Sequence, residues 1–597
     1  MAACLVFCAN IPSPPHLMDD VDAVQAQIAR NMLDSGDWVT ARLDGVAYLE
    51  KSPLVYWMMA ASYRVFGIHD WAARLPLALA VVLLCWLTYR FAQWAFGSQA
   101  GVYAGICLAT SAGLFLFTRI LIPDATLALT ITASLWAWMR LLDSEETLSS
   151  TQSRLWAVVL GSSLGCGLLL KGLIADVFPA LTMMVYLVLT KQLFVRTIWR
   201  RFSPGLVITT ALLVAAPWHV LAMLRNPPLF SFSLHSGPGE YRGFFWFYFF
   251  NEHLLRFLNI RYPHDYNTVP RGLFWLLNLV WLFPWSAYLV GAIKLNYSSD
   301  SRAGRVRLMA LCWIGVVMVF FTFSTTQEYY SMPIYPALAM LIGSTIAEGK
   351  LVRIGSRILV GASTLLFIIL SVLLVLVRLY PAPGDISQAL VQHPEMYTLS
   401  LGHMGDLTLP AFAYLKLPLA LAALAFGFCA TGLWLYRCNT VKTVATLTIA
   451  MIVFFQAAQI ALFRFDSYLS SYPLAERLLN APPGKLIEAD AYYAFSSVFF
   501  YTDLPALLLN GRKDNLEYGS YAPGAPDAFI NDDDFANRWR SSERYYLLAY
   551  GSDMPHLESV VGRKNLYVAA QCSGNFLFTN QSLSVKTSKP MDPLVVH

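Results

Sequence analysis

The side chains able to do chemistry stand in short clusters, each beside an apolar run. Asp19, Asp20 and Asp22 precede an amphipathic stretch at 23–33, and Glu50 and Lys51 follow just ahead of the next apolar segment. Acids before a helix also suit the positive end of its dipole, by a few tenths to about 1 kcal/mol, and a lysine at a membrane edge also suits snorkelling. A carboxylate and a cation returning together at one membrane face, however, suit an anionic lipid substrate. Arg119, Pro123 and Asp124 share one very short loop. Asp124 can cap the helix that follows, but a cap does not explain Arg119, and charges at a membrane edge are costly and usually kept for function. Lys171, Gly172 and Asp176 form another tight turn in which Lys171 and Asp176 can pair. Behind the aromatic run 244–250, Glu252, His253 and Arg256 fall within about one helical turn, so one face can present a carboxylate, an imidazole and a guanidinium. Glu50 and His253 with a nearby carboxylate such as Glu252 would make a divalent-metal site, although no HExxH or comparable spacing accompanies them. Tyr330, in a polar loop feeding a helix, can bond a phosphate through its hydroxyl or anchor the chain at the interface.

The elements that must position these residues are membrane helices. Of 597 residues, 57% are hydrophobic and 13% charged, against about 25% charged in a soluble domain. Apolar runs at 75–95, 100–117, 125–139, 155–170, 173–189, 206–224, 273–293, 308–323, 331–346, 358–377, 417–436 and 444–463 predict twelve spans. Residues 1–11 read as the outer end of a thirteenth, its start missing or unusually short, ahead of a turn at Pro12, Pro14 and Pro15. Soluble, fibrous and disordered classes are excluded. The net charge of +5 forms no clustered basic stripe, so nucleic acid is not an expected partner. The nine cysteines, mostly in or beside apolar runs, give no disulfide or zinc framework.

Lysine and arginine fix the expected orientation. The loops holding Lys191, Arg196, Arg200 and Arg201, then Lys294, Arg302, Arg305 and Arg307, then Lys350, Arg353 and Arg357, then Arg437 and Lys442 fall on one side, the cytoplasmic one. The long loops 12–74, 225–271 and 378–416, and everything after Arg464, then face outward, where nearly all the unusual polar residues lie. The chain thus divides into a membrane domain at 1–463 and a soluble extracytoplasmic α/β domain at 464–597. In the latter, strands are expected at 486–488, 506–509, 545–550, 566–570 and 576–578, and a helix over 492–501. It has no GxGxxG, P-loop or nucleophile elbow.

An ordered series of residues resembles the lipid-linked-sugar glycosyltransferases that include the protein O-mannosyltransferases and the lipid A aminoarabinose transferase. It begins with Ile28, Ala29, Arg30, Gly36, Asp37, Trp38 and Val39, then Leu49, Glu50, Lys51, Ser52 and Pro53. It continues with Pro123 and Asp124, Leu170 to Gly172, Pro217 and Trp218, Glu252, His253, Arg256 and Phe257, and Tyr330, Pro333, Tyr335 and Pro336. The likeness covers about residues 18–345. It implies an all-α polytopic GT-C fold of about thirteen transmembrane helices, amphipathic helices on the outer surface and an extracytoplasmic domain. It also implies a polyprenyl-phosphate monosaccharide donor, in keeping with the lack of a nucleotide-binding motif. Three positions depart from the pattern. Asp20, Val21 and Asp22 replace an Asp-Glu pair, so either Asp20 or Asp22 takes the key place; Ser52-Pro53 replaces Pro-Pro; and Thr326 stands near the place of a lysine.

The expected reaction is an inverting transfer at the outer face of a bacterial inner membrane, to lipid A, another envelope glycan or a protein. Asp20 or Asp22 would deprotonate or orient the acceptor hydroxyl or phosphate, and Lys51 and Arg256, with Tyr330 and Arg119, would hold the leaving phosphate. Asp124 would hold sugar hydroxyls or assist the base, and Glu50 with His253 would orient Lys51 or hold a metal. A transporter or flippase for a lipid-linked or anionic substrate is the rival class, and would place charges at mid-bilayer on broken helices or inverted repeats. An inactive scaffold binding proteins through the C-terminal domain is a third.

Overall fold

The computed structural model describes residues 1–11, 15–143, 148–263, 269–391 and 402–583. Pro12 and Pro14 of the expected turn, the parts of the expected outer loops at 264–268 and 392–401, and 584–597 of the expected C-terminal domain lie outside the described residues.

Among the described residues, nine helices are long and apolar enough to cross a membrane: Asp70–Phe96, Asp124–Leu142, Ser150–Lys171, Arg196–Arg225, Arg302–Phe323, Glu328–Ala347, Val352–Val377, Lys416–Tyr436 and Thr440–Arg464. Three expected spans differ. The run 273–293 is a pair, Arg271–Trp281 and Trp285–Lys294, bent by 101°. The run 100–117 is broken into Ser98–Ala109 and Ala112–Phe117, and 173–189 is the 16-residue helix Ile174–Leu189. The first two breaks share a cause. Ala112 sends its backbone N–H to the Phe283 carbonyl at 3.1 Å, and the Trp285 indole donates to the Thr110 hydroxyl at 2.9 Å. Pro284, beside the bend, brings no N–H to a helix ladder, so each interruption satisfies the other inside the protein, the condition for irregular backbone at membrane depth. The expected thirteenth helix is the six-residue Ala2–Phe7.

Small residues let helices approach. A Cβ on Gly161 would lie 2.5 Å from the Val207 carbonyl oxygen, and one on Gly165 2.8 Å from that of Ala211, so Ser150–Lys171 and Pro204–Arg225 touch backbone to backbone.

Beyond Arg464 the short helices Asp466–Leu469 and Tyr472–Leu479 lead to a six-stranded sheet. With the outer hairpin as β1 (Arg42–Leu43) and β2 (Val46–Ala47), the sheet strands are β3 (Lys485–Glu488), β4 (Ala506–Leu509), β5 (Phe529–Ile530), β6 (Tyr545–Tyr550), β7 (Tyr567–Cys572) and β8 (Asn575–Thr579). Their order is β5-β4-β3-β6-β8-β7, the first four parallel and the β6-β8-β7 edge antiparallel. Central in the sheet and buried from Tyr545 to Ala549, β6 is built only of tyrosine, leucine and alanine. The expected helix runs over Ser496–Thr502, and the run Asp532 to Asp534 forms the first turn of Asp532–Trp539, capped by the Asn531 side chain.

The segment around helix Val21–Ser35 is clamped between this sheet domain and the membrane helices. In helix Val21–Ser35 every residue from Asp22 to Ala29 is buried. Arg30 donates to the Phe500 carbonyl at 2.8 Å and pairs with Asp503 at 2.9 Å, while Asp19 accepts from Ser471 and Ser497.

Candidate active site

The two candidate acids of the first outer segment have different surroundings. Asp22, in the first turn of Val21–Ser35, accepts from the backbone N–H of Met18 at 3.1 Å and of Leu121 at 3.0 Å, and pairs with Arg74 at 3.3 Å. Its carboxylate ties the outer helix to the loop before Asp124. Asp20 precedes the helix at φ 71° and opens onto a large cavity, with no ion pair among the described residues. Its carboxyl is exposed to the cavity rather than to bulk solvent. Enclosure by protein, with the nearby Asp19 and Asp514 carboxylates adding, pushes it up to about 7.

That cavity, about 2560 Å³, is lined by all ten expected residues: Asp20, Asp22, Glu50, Lys51, Arg119, Asp124, Glu252, His253, Arg256 and Tyr330. Leu366, Leu419, Phe426, Phe455 and Leu462 of the later spans line it too, as do Tyr493, Asn515 and Tyr550 of the C-terminal domain. It therefore joins a polar head to an apolar channel.

At the head lies a compact ionic cluster. Glu50 bonds Lys51 and stands 3.6 Å from Arg256 and 3.9 Å from Arg261; Glu252 binds Arg256 at 2.9 Å and Arg261 at 3.2 Å. Burial alone would raise the Glu50 carboxyl, but Lys51, Arg261 and Arg256 together hold it well below the usual carboxylate range. For Glu252 burial prevails over the two arginines, and its carboxyl is raised. Three cations against two carboxylates leave the cluster with one excess positive charge when all are ionised. Lys51 and Arg256 keep 27% and 20% of their side chains exposed, on the cavity wall, whereas Arg261 keeps 3%.

A second pair stands beside it. Lys171 holds Asp124 at 2.6 Å, with its ammonium 4.7 Å from the Tyr330 ring centre and 5.6 Å from that of Tyr329. Lys171 therefore pairs with Asp124 and not with Asp176. The turn demands Gly172: its φ is +67°, and a Cβ there would lie 2.2 Å from His253 Nε2.

His253 differs from expectation. Residues Trp246–Leu255 wind as a π-helix, whose wider turn separates His253 from Glu252 and Arg256. Its Nδ1–H faces the Tyr248 carbonyl at 2.5 Å, and Nε2 accepts the Leu173 N–H at 3.0 Å. Burial lowers its basicity to about 4. With both ring nitrogens engaged, the imidazole neither orients Lys51 nor fits a metal shared with Glu50, which three cations already surround. Among the described residues no group of three His, Cys, Asp or Glu side chains is arranged to hold a metal ion. Arg119 lines the cavity apart from the cluster: it donates to the Val6 carbonyl at 3.3 Å and to Gln459 at 3.2 Å and lies over the Phe115 ring at 4.5 Å. These contacts tie the N-terminal helix to the last span and leave the expected phosphate role unsupported. Thr326 is turned to Val269, which it bonds through side chain and backbone, and the Ser52 hydroxyl bonds Tyr248 and the Leu168 carbonyl.

Sequence reasoning missed Arg261 and the contribution of the C-terminal domain. The signal for Arg261 was a further cation nine residues after Glu252 in the same outer interval; nothing local marked Tyr493 or Asn515.

Residues 50–220 match the family model described as dolichyl-phosphate-mannose-protein mannosyltransferase. An undecaprenyl phosphate-alpha-4-amino-4-deoxy-L-arabinose arabinosyl transferase of Aeromonas hydrophila is 28% identical over 338 residues, 54% of this chain and 56% of that protein. One of Pseudomonas fluorescens is 29% identical over 356 residues, 57% and 55% of the two chains. The matched region thus spans about half the length of these relatives. The crystal structure of ArnT from Cupriavidus metallidurans bound to undecaprenyl phosphate superposes with a TM-score of 0.76 at 21% identity, covering 97% of each chain. The chain accordingly has the GT-C fold and resembles the lipid-linked-sugar glycosyltransferases of the mannosyltransferase and ArnT kind.

Proposed function

We propose that the protein is an integral membrane glycosyltransferase that moves a monosaccharide from a polyprenyl phosphate to an extracytoplasmic acceptor, with inversion. The observation that carries this reading is the single cavity in which a cationic head, an unpaired carboxylate and an apolar channel meet. A polyprenyl phosphate needs both ends of it: cations for the phosphate and an apolar slot for the chain. The names of the similar transferases support undecaprenyl phosphate as the carrier and their bacterial sources a bacterial inner membrane, and the lysine and arginine count supports the cavity and the C-terminal domain lying outside.

In this mechanism the acceptor oxygen attacks the anomeric carbon as its proton passes to Asp20. The new C–O bond forms while the bond from the anomeric carbon to the phosphate oxygen breaks, and the leaving phosphate keeps the electron pair. Lys51 and Arg256 neutralise that developing charge inside a water-poor site, where such stabilisation is strongest. Lys171, beside Tyr330, supplies the cation that Thr326 does not, and holds Asp124 toward the sugar hydroxyls. Asp22 is then structural, and Glu50 and Glu252 set the positions of the cations. Lipid A, another envelope glycan and a protein all fit as acceptor classes.

A flippase would also need an amphipathic cavity, but it would need no carboxylate to take a proton from an acceptor, whereas Asp20 lines this one with no ion pair among the described residues. Purified protein incubated with a synthetic undecaprenyl-phosphate pentose or hexose, with bacterial lipid A, glycan or protein acceptors, tests the reading. Release of undecaprenyl phosphate that requires both an acceptor and Asp20 is expected; movement of intact donor across proteoliposomes without sugar release would refute it.

A further inference from the structure

The C-terminal domain reaches into the cationic head through Asn515 and Tyr493. Asn515 Oδ1 accepts from Arg261 Nη2 at 2.7 Å, and its Nδ2 donates to the Tyr493 hydroxyl at 3.0 Å. Tyr493 donates to the Tyr48 hydroxyl at 3.2 Å, and Tyr48 donates to Glu50 Oε2 at 3.0 Å. Glu50 Oε1 holds Lys51 and lies 3.9 Å from Arg261, which closes a ring. Every proton points the same way round it, from the Arg261 guanidinium to the Glu50 carboxylate. The direction also fixes the Asn515 amide, because the flipped form would set its NH₂ against an arginine N–H. A chain of this kind strengthens each bond through its neighbour.

We propose that Asn515 and Tyr493 are positioning residues for the donor phosphate, so that the head is complete only when the C-terminal domain is seated on it. The proposal rests on reading the cationic head as the phosphate site. Glu50 is buried among three cations. If Oε2 were left without the Tyr48 hydroxyl, it would draw Lys51 and Arg256 inward and close the cluster on itself. With Oε2 satisfied through Tyr48, Tyr493 and Asn515, both cations keep N–H groups on the cavity wall. Arg261, 3% exposed, contributes charge and not contact; Glu252 holds it from one side and Asn515, through Nη2, from the C-terminal domain.

The test uses the full chain with Asn515→Ala, Tyr493→Phe and both together. The expected result is a rise of at least fivefold in KM for an undecaprenyl-phosphate sugar, with kcat within twofold of wild type and an unchanged thermal midpoint. The double variant should be no worse than the poorer single one, since a ring broken at one bond is already open. A merely structural role would lower kcat with KM intact or give additive losses, and either outcome overturns the proposal. Binding of undecaprenyl phosphate alone separates the two levels of inference: no binding by wild type would sink the phosphate reading itself. The ring is then judged without any donor, by mass-spectrometric acylation rates of Lys51. A severalfold change in both variants supports positioning, and wild-type rates in both refute it.

Discussion

Replacing Lys51 by alanine removes one of three cations around Glu50, and one of the two in that cluster that line the cavity. Its ammonium bonds Glu50 directly, and Arg256 and Arg261 remain 3.6 and 3.9 Å from the same oxygen. Two opposite charges about 4 Å apart interact by about 4 kcal/mol at an effective dielectric constant near 20. A leaving phosphate facing Lys51 would lose up to that much, and loss of one donor aimed at a developing oxyanion costs about 3 kcal/mol, or roughly a hundredfold in rate. Folding should suffer less, by about 1–3 kcal/mol, because two arginines still compensate the buried carboxylate. Initial rates with purified protein and a synthetic undecaprenyl-phosphate sugar should therefore fall about a hundredfold in kcat/KM, with a modest drop in thermal midpoint. Lys51→Arg should recover part of the rate. If Lys51 only snorkels, both variants keep wild-type rates, and that result would refute the phosphate assignment.

Asp20→Asn should abolish transfer with the thermal midpoint preserved, whereas Asp22→Asn should chiefly destabilise, since Asp22 carries two backbone bonds and Arg74; full turnover by Asp20→Asn would end its role as base. A base must be ionised to accept a proton, and Asp20 is raised to about 7, so kcat/KM should climb with pH through about 7 and level off above it. A rising limb near pH 4 would mean that another group governs the rate. Lys171→Met should leave Asp124 buried without its partner and lower both activity and stability, the latter by about 3–5 kcal/mol, readable in a denaturation curve. Gly172→Ala forces a Cβ into His253 at a left-handed backbone position and should cost about 1–3 kcal/mol; a thermal midpoint equal to wild type would show that the turn relaxes.

The charged residues of the cavity were legible in the sequence because a bilayer makes charges beside apolar runs rare, so each of Glu50, Lys51, Asp124, Glu252 and Arg256 stood out. Their partners were not. Lys171 had Asp176 five residues away, yet it bonds Asp124, 47 residues back, because Ser150–Lys171 and Asp124–Leu142 pack side by side. The spacing of Glu252, His253 and Arg256 suggested one shared face, but that inference assumed 3.6 residues per turn, and the π-helix sends His253 to the backbone instead. Hydropathy failed for a similar reason at 100–117 and 273–293: an average over a window cannot see that the Phe283 carbonyl accepts from Ala112 and Thr110 from the Trp285 indole across the two breaks. In the C-terminal domain, alternation and apolar runs marked β3, β4, β6, β7 and β8, while β5, only Phe529–Ile530, is too short to carry a period. The same domain held the least legible part of the site, since Asn515 lies in polar sequence and Tyr493 in an aromatic run, where such residues are ordinary. What distinguishes them is a direction of hydrogen bonding that exists only once Arg261, Tyr48 and Glu50 have been brought to them. A local pattern therefore reports which groups pay the cost of desolvation, and only the fold reports which groups relieve it.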